Sequence, residues 1–410
     1  MTYLRDFTVR ASDSASADAF GRWRVSSPAQ VFDSKQIFTS ESLFWDDQEV
    51  SGSGTSSTHS TDTARSRLSV SASTAGLRVR QTFRRFHYQP GKSQLVLMTG
   101  LLDAGGGGTG ITRRIGFFDD DNGLFFEDAE GTVRVVRRSS TSGSPVDTAV
   151  EQSAWNVDKM DGSGPSGITV DWTKAQMFVI DFEWLGVGRV RFGLDIDGQV
   201  HYVHNFLHAN NLDVVYLSTP NLPLRFSIEN DGTGAASDLD QVCAAVESEG
   251  GVDPSGLRFW VDTGVSSAIN ANTVGTFYAV IGLRLKPARL GAQIDIKKLS
   301  LLAATNDDFL WRLYWNPTVA GTFTYGGVAS SNMQRALGDQ VGNPSATTVT
   351  GGTVIAGGYV TGNTTFAEPI ESELKLGASI AGVQDELVLA VSPQTSNLDI
   401  YGGIGWRELT

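Results

Sequence analysis

The stretch Met177-Phe-Val-Ile-Asp-Phe-Glu-Trp-Leu185, Gly186-Val-Gly188, Arg189-Val-Arg-Phe-Gly-Leu-Asp-Ile196, Asp197-Gly198, Gln199-Val-His-Tyr-Val-His-Asn-Phe206 decides the fold. Its apolar residues come in runs of strand length, rich in Val, Ile, Phe and Tyr, and each run stops at glycine or at Asp-Gly. This punctuation predicts three successive antiparallel strands joined by short turns, the last of them a two-residue hairpin. Such a sheet buries one face, so other strands must cover it.

Those strands lie on both sides. Upstream, Leu68, Val70, Leu77 and Val79 alternate with polar residues, with Arg78 and Arg80 in between, and Gln94–Leu102 reads as a more fully buried strand. Ile115–Phe118 and Leu124–Phe126 flank Asp119-Asp-Asp-Asn-Gly123, which predicts a hairpin closed by an Asn-Gly turn, and Thr132–Arg138 continues the meander. Downstream, Leu222–Glu229 and Asp240–Glu247 add further strands. Residues 66–250 are therefore expected to close a jelly-roll or lectin-like antiparallel β-sandwich. After Gly250-Gly251 and Pro254, strand character resumes in Gly275–Leu285, Ala292–Leu302, Phe309–Trp315, Glu386–Val391 and Leu398–Tyr401, so 251–410 is expected to be a second β-rich domain. A single short helix is predicted near Ser331–Leu337. Residues 1–65 read as an extended N-terminal arm, to about Ser40, followed by a polar linker at Ser51–Arg65. The class is all-β.

Composition narrows the function. The 410 residues carry a net charge of −13, with 12 basic against 9 acidic side chains up to Lys92 and 20 against 36 beyond it. A chain so acidic lacks the basic stripe that displaces counterions from phosphates, which argues against a nucleic-acid partner. Cys243 is the only cysteine, so no intrachain disulfide and no cysteine-based zinc cluster can form. No segment approaches the roughly 20 apolar residues of a membrane span, and the first residues lack the apolar run of a signal peptide. The expectation is a chain made and kept soluble in a cytoplasm.

Four constellations invite chemistry. Ile180-Asp-Phe-Glu-Trp-Leu-Gly186 places Asp181 and Glu183 on one strand face, the paired-carboxylate arrangement of glycosidases. His201, His204 and His208 have ligand character, but strand alternation sends His201 and His204 to opposite faces, so no metal site is expected. Asp119–Asn122 lacks the spaced acids of a calcium loop, and Gly105–Gly108 lacks the Lys-Ser/Thr of a phosphate loop, so no cofactor is expected either. Cys243 reads as a small hydrophobe in a buried strand. The aromatics, from Trp23 and Phe44-Trp45 through Phe83 and Phe86 to Trp311, Trp315 and Trp406, are too dispersed for one core, and Phe20, Trp23, Phe44 and Trp45 are candidates for subunit contacts.

Residues 180–186 resemble the catalytic strand of the laminarinase-like retaining glucanases, a jelly-roll family whose motif runs Glu-x-Asp-x-x-Glu or Glu-x-Asp-x-Glu. The resemblance makes Asp181 the assisting acid and Glu183 the acid/base. Val179, however, stands where the family has its nucleophile, so the pair implies a glycan-contacting face, not an enzyme. Asp18-Ala-Phe-Gly-Arg22, Leu43-Phe-Trp-Asp-Asp47, Ser53-Gly-Thr-Ser-Ser-Thr-His59, Arg78-Val-Arg-Gln-Thr-Phe83 and Tyr88-Gln-Pro-Gly-Lys-Ser93 resemble a group of uncharacterised virion structural proteins of tailed bacteriophages, over residues of about 18–250. That resemblance implies a virion location. The resulting expectation is a homo-oligomer, trimer or higher, forming a tail or surface appendage (ring, fibre or adhesin-like) held through its N-terminal arm. Its partners would be itself, other virion proteins and host-surface glycan. The alternatives are a capsid decoration or cement protein, and a host-glycan binding module or depolymerase.

Overall fold

The computed structural model describes residues 16–24, 28–103, 108–252, 255–339, 347–362, 364–370, 374–395 and 397–409. The expected features at Met1–Ala15, at Gly105–Gly107 and at Pro254 lie outside them. The chain divides into two compact units, Met1–Gln81 with Tyr88–Asp253, and Thr82–His87 with Pro254–Thr410.

The first unit contains β1 (Ala29–Lys35), β2 (Trp45–Gly52), β3 (Thr55–Ser60), β4 (Arg65–Val70), β5 (Gly76–Thr82), β6 (Gln94–Leu101), β7 (Ile111–Phe118), β8 (Gly123–Ala129), β9 (Thr132–Ser139), β10 (Val146–Glu151), β11 (Gln176–Phe182), β12 (Val190–Ile196), β13 (Gln199–Phe206), β14 (Leu224–Asn230) and β15 (Ser237–Ser248). One sheet runs β13-β12-β11-β6-β15-β4-β3, with β1 also on β15, and the other runs β10-β9-β8-β7-β14-β5-β2. Neighbours such as β6 and β15, or β7 and β14, are remote in sequence and antiparallel, the connectivity of a jelly-roll-like sandwich. Rings from the two sheets meet in the core. Phe126 of β8 lies 4.9 Å from Phe178 and 5.3 Å from Phe192, and Phe117 lies 5.7 Å from Phe182. The deciding stretch folds as predicted, and its Asp197-Gly198 turn takes positive φ at both residues, 53° and 78°, as a two-residue hairpin requires.

The second unit contains β16 (Leu257–Asp262), β17 (Ile269–Ala271), β18 (Phe277–Leu285), β19 (Gln293–Ala303), β20 (Phe309–Trp315), β21 (Thr318–Val319), β22 (Gly326–Gly327), β23 (Met333–Leu337), β24 (Thr348–Thr350), β25 (Thr353–Val360), β26 (Thr365–Pro369), β27 (Leu387–Pro393) and β28 (Leu398–Leu409). Its sheets run β16-β28-β19-β26 and β21-β24-β18-β27-β20-β25, and one apolar core joins Leu299, Ile404 and Trp406 of the first to Leu283, Trp311 and Leu389 of the second. The short piece Thr82–His87 is built into this unit. The Phe83 carbonyl accepts the Ala378 N–H at 3.0 Å, and Phe86 is fully buried. Gly377 permits that approach, because a Cβ there would sit 2.0 Å from the Phe83 oxygen.

Five expectations change. The helix at 331–337 is strand β23, because Met333–Leu337 completes a ladder on β18 and buries Met333 and Ala336, which outweighs a local helical preference. No α-helix occurs among the described residues, so none is long and apolar enough to cross a membrane. The supposed arm and linker supply strands β1–β3: Phe32 and Ser34 of β1 point inward, and the Ser/Thr-rich stretch pairs with β4 as a hairpin. Hydroxyl residues tolerate a sheet edge, so their polarity did not mean disorder. At 119–122 the hairpin closes through a four-residue loop, not an Asn-Gly turn: Asp119 Oδ1 accepts the N–H groups of Asp121 and Asn122 at 2.9 and 2.8 Å, and Gly123 already belongs to β8. Finally, Cys243 is exposed, because a bulge between Gln241 and Cys243 reverses the side-chain alternation of β15.

Candidate functional site

β11 and β12 pair so that Asp181 stands directly across from Arg191. Both side chains are wholly removed from solvent and form an ion pair. Asp181 accepts three further bonds, from Arg24 Nη2 at 2.6 Å, Tyr202 Oη at 2.9 Å and Ser93 Oγ at 2.7 Å. The Arg191 guanidinium also lies 4.0 Å over the Tyr202 ring. Arg24 extends the network through Nε to Glu249 at 2.8 Å. Burial opposes the Arg24 charge, but Asp181, Tyr202 and Glu249 outweigh it and raise its pKa. Burial likewise pushes the Tyr202 hydroxyl and the Glu249 carboxyl up.

Segment 16–24 closes this network from outside. The Ala17 carbonyl accepts Arg191 Nη2 at 2.5 Å, the Ala19 carbonyl accepts Arg189 Nε at 3.1 Å, and the Ala19 N–H reaches Ser93 Oγ at 3.3 Å. Asp181 is therefore a structural anchor beneath a strap of backbone. Glu183 sits one residue past β11, where Oε1 accepts the Arg189 N–H at 3.1 Å and the carbonyl accepts Tyr216 Oη at 2.8 Å. It is half-buried, and burial raises its pKa. The two acids thus share an end of the sheet but not an open face, and Val179 is fully buried where a nucleophile would stand. A carboxylate wholly enclosed by two guanidiniums, a phenol and a serine is out of a substrate's reach, and Glu183 alone cannot run double displacement.

The other candidates divide between core and surface. Trp45 is not a subunit contact: it is 2% exposed, its indole N–H donates to Ser34 Oγ at 2.8 Å, and Phe32 and Phe226 lie 6.4 and 5.9 Å away. Phe44 is half-buried against Phe32 at 5.8 Å, and Phe20 is half-buried beneath the Arg22 guanidinium at 4.4 Å. Trp23 is 62% exposed. His204 accepts the Asn156 N–H, His208 stacks on Tyr216 at 4.2 Å, and burial takes both rings down to about 4. Among the described residues no three His, Cys, Asp or Glu side chains gather as a metal site. Sequence reasoning missed Ser93, Arg24, Arg191 and Tyr202. Of these, Arg191 was accessible, because folding the hairpin about Gly186–Gly188 sets it opposite Asp181.

No protein-family model matches this chain, and no curated protein sequence matches it. Among solved structures it is similar to a beta-glucanase of Bacillus licheniformis (10% identity, 54% of this chain and 98% of that one, TM-score 0.35). It is also similar to an endo-1,3-beta-glucanase of Streptomyces sioyaensis (12%, 54% and 97%, TM-score 0.36). A legume lectin-like domain from Entamoeba histolytica gives 8% identity, 54% and 98% coverage, and a TM-score of 0.32. No residue role is carried over from these similarities.

Proposed function

We propose that this chain is a non-hydrolytic binding and structural component of a tailed-bacteriophage particle, made in the host cytoplasm, assembled from several copies and facing host glycan. The observation that carries the non-hydrolytic part is the fate of Asp181, whose oxygens are spent on Arg191, Arg24, Tyr202 and Ser93. The virion part rests on the likeness of segments between residues 18 and 93 to virion structural proteins. Incubation with host polysaccharide is expected to release no reducing ends, from the native chain or from Glu183→Gln alike. Release that Glu183→Gln abolishes would overturn the reading in favour of a depolymerase. Imaging of particles carrying the labelled chain places it on tail or capsid, and a chain absent from purified particles would overturn the virion part. A copy number in the hundreds would favour the decoration alternative.

Self-association is supported by β25. Of the other edge strands, β2, β10, β16 and β26 carry charge or proline, the usual guard against further pairing, whereas β3 and β13 carry neither but are rich in polar Ser, Thr, His, Asn and Gln. Thr353-Val-Ile-Ala-Gly-Gly-Tyr-Val360 carries neither. A bulge at Ile355 puts Val354 (45% exposed) and Tyr359 (75% exposed) on the same outer face, opposite Tyr314 and Leu310 of β20. Antiparallel pairing with a second copy about a two-fold axis between Ala356 and Gly357 would set each Val354 against Tyr359 of the other copy, and Ile355 against Gly358. Residues facing each other across antiparallel strands share a face, so the register is self-complementary. The double variant Val354→Lys/Tyr359→Lys is expected to lower the mass measured by light scattering while leaving the melting temperature unchanged. An unchanged mass removes this contact from the reading.

A further inference from the structure

Segment 16–24 does more than cover Asp181. It folds back on itself, with Ala17 bridged to Trp23, the Arg24 N–H on the Ser16 carbonyl at 2.9 Å, and the Asp18 carboxylate accepting Arg22 N and Nε, both at 2.8 Å. Gly21, at φ 77°, makes the turn possible. The result holds Trp23 beside a cavity of about 390 Å³ lined by Asp18, Arg22, Trp23, Arg24, Lys92 and Glu249. That volume lies within the roughly 300–1,000 Å³ of small-molecule sites. Gly91 and Gly250 lie on its wall at φ 87° and 85°, and a Cβ on either would meet no atom within 4 Å, so the rim stays open.

Charge selects among ligands. Arg22 is paired with Asp18 at 2.7 Å, Arg24 bridges Glu249 and Asp181, and Lys92 Nζ bonds the Gly251 carbonyl at 2.7 Å. With the buried Asp181–Arg191 pair taken as neutral, three cations face two carboxylates, so the site offers oriented donors and acceptors with an excess of only one positive charge. The chain as a whole, at −13, repels polyanions. An indole left 62% exposed contributes little to the core and presents a flat apolar face beside paired, planar polar groups. A pyranose has the matching two-sided character, with an apolar face of C–H groups and a rim of hydroxyls.

We propose that this cavity binds the end of an uncharged glycan, with the sugar stacked on Trp23 and its hydroxyls bonded to Asp18, Arg22 and Glu249. The inference rests on the reading of the chain as a glycan-facing component and adds the site and the ligand class. The test uses the full chain on an array of neutral hexose oligosaccharides together with sialylated and uronic-acid-containing ones, followed by titration calorimetry with the best neutral binder. Trp23→Ala is expected to weaken binding roughly tenfold or more, equivalent to about 1.4 kcal/mol, with the melting temperature unchanged. Trp23→Phe should recover part of the affinity, and Trp260→Ala, at the other exposed tryptophan, should bind like the native chain. Neutral-glycan binding that survives Trp23→Ala undiminished overturns this site and leaves the general reading standing. Binding confined to acidic glycans overturns the ligand class, and a native chain that binds no glycan overturns both.

Discussion

Asp181→Ala is expected to destabilise the first unit by about 3–5 kcal/mol, the cost of leaving a buried charge without its partner. Arg191 is fully enclosed, and its contacts with the Ala17 carbonyl and the Tyr202 ring carry no negative charge. Arg24 would keep Glu249, so its share of the loss is smaller. For a unit of this size the melting transition should fall by roughly 6–20 °C. Asp181→Asn should fall less, because an amide oxygen still accepts from Ser93 and Tyr202. Calorimetry or circular dichroism on the three proteins measures the difference. A loss below about 1 kcal/mol for Asp181→Ala would mean that water reaches Arg191 and that the strap opens readily.

Removing residues 1–40 is expected to abolish cooperative folding of the first unit, whereas a free arm would be dispensable. The cut takes β1 off β15 and with it Phe32, which is 8% exposed and whose loss alone is worth roughly 3–5 kcal/mol against a typical total of 5–15. It also removes polar partners that the core needs. Ser34 holds the Trp45 indole, Gln36 bonds Ser66 Oγ at 2.7 Å and Arg80 at 3.2 Å, and the Ser40 carbonyl accepts a further bond from Arg80. Arg80 is 1% exposed, so its guanidinium would be left with Gln241 and Asp47. The truncated chain should show rapid proteolysis within 41–253 and no sharp melting transition for that unit. A truncated protein that melts like the native one would restore the arm reading.

These two cases show where sequence reasoning held and where it stopped. β11–β13 were legible because apolar runs of strand length alternate with Gly and Asp-Gly, and no helix accommodates that spacing. β1 to β3 were not, because their stabilising contacts are few, polar and remote: Ser34 to Trp45, Gln36 to Ser66, Thr55–Ser60 to β4. At the candidate site, Asp181 and Glu183 were picked by residue type and spacing, and that pattern was real. Their roles depended on what lies across from them. Arg191 follows from hairpin register, but Ser93 and Arg24 come from segments 88 and 157 residues away, and no local pattern reports such a meeting. Cys243 and Ile355 add a subtler reason, since a single bulge inverts every inside-outside assignment beyond it.

Thr82–His87 has a bearing on how the molecule comes into being. Synthesis delivers these residues long before Pro254, yet the Phe83 carbonyl finds its partner only in the Ala378 amide of the later stretch. The second unit therefore cannot be finished from its own contiguous stretch. A fragment beginning at 254 would lack a buried phenylalanine and leave the Ala378 amide without its acceptor. Cutting the gene at the apparent seam would yield two incomplete products, because the earlier stretch carries a piece that only the later one can seat.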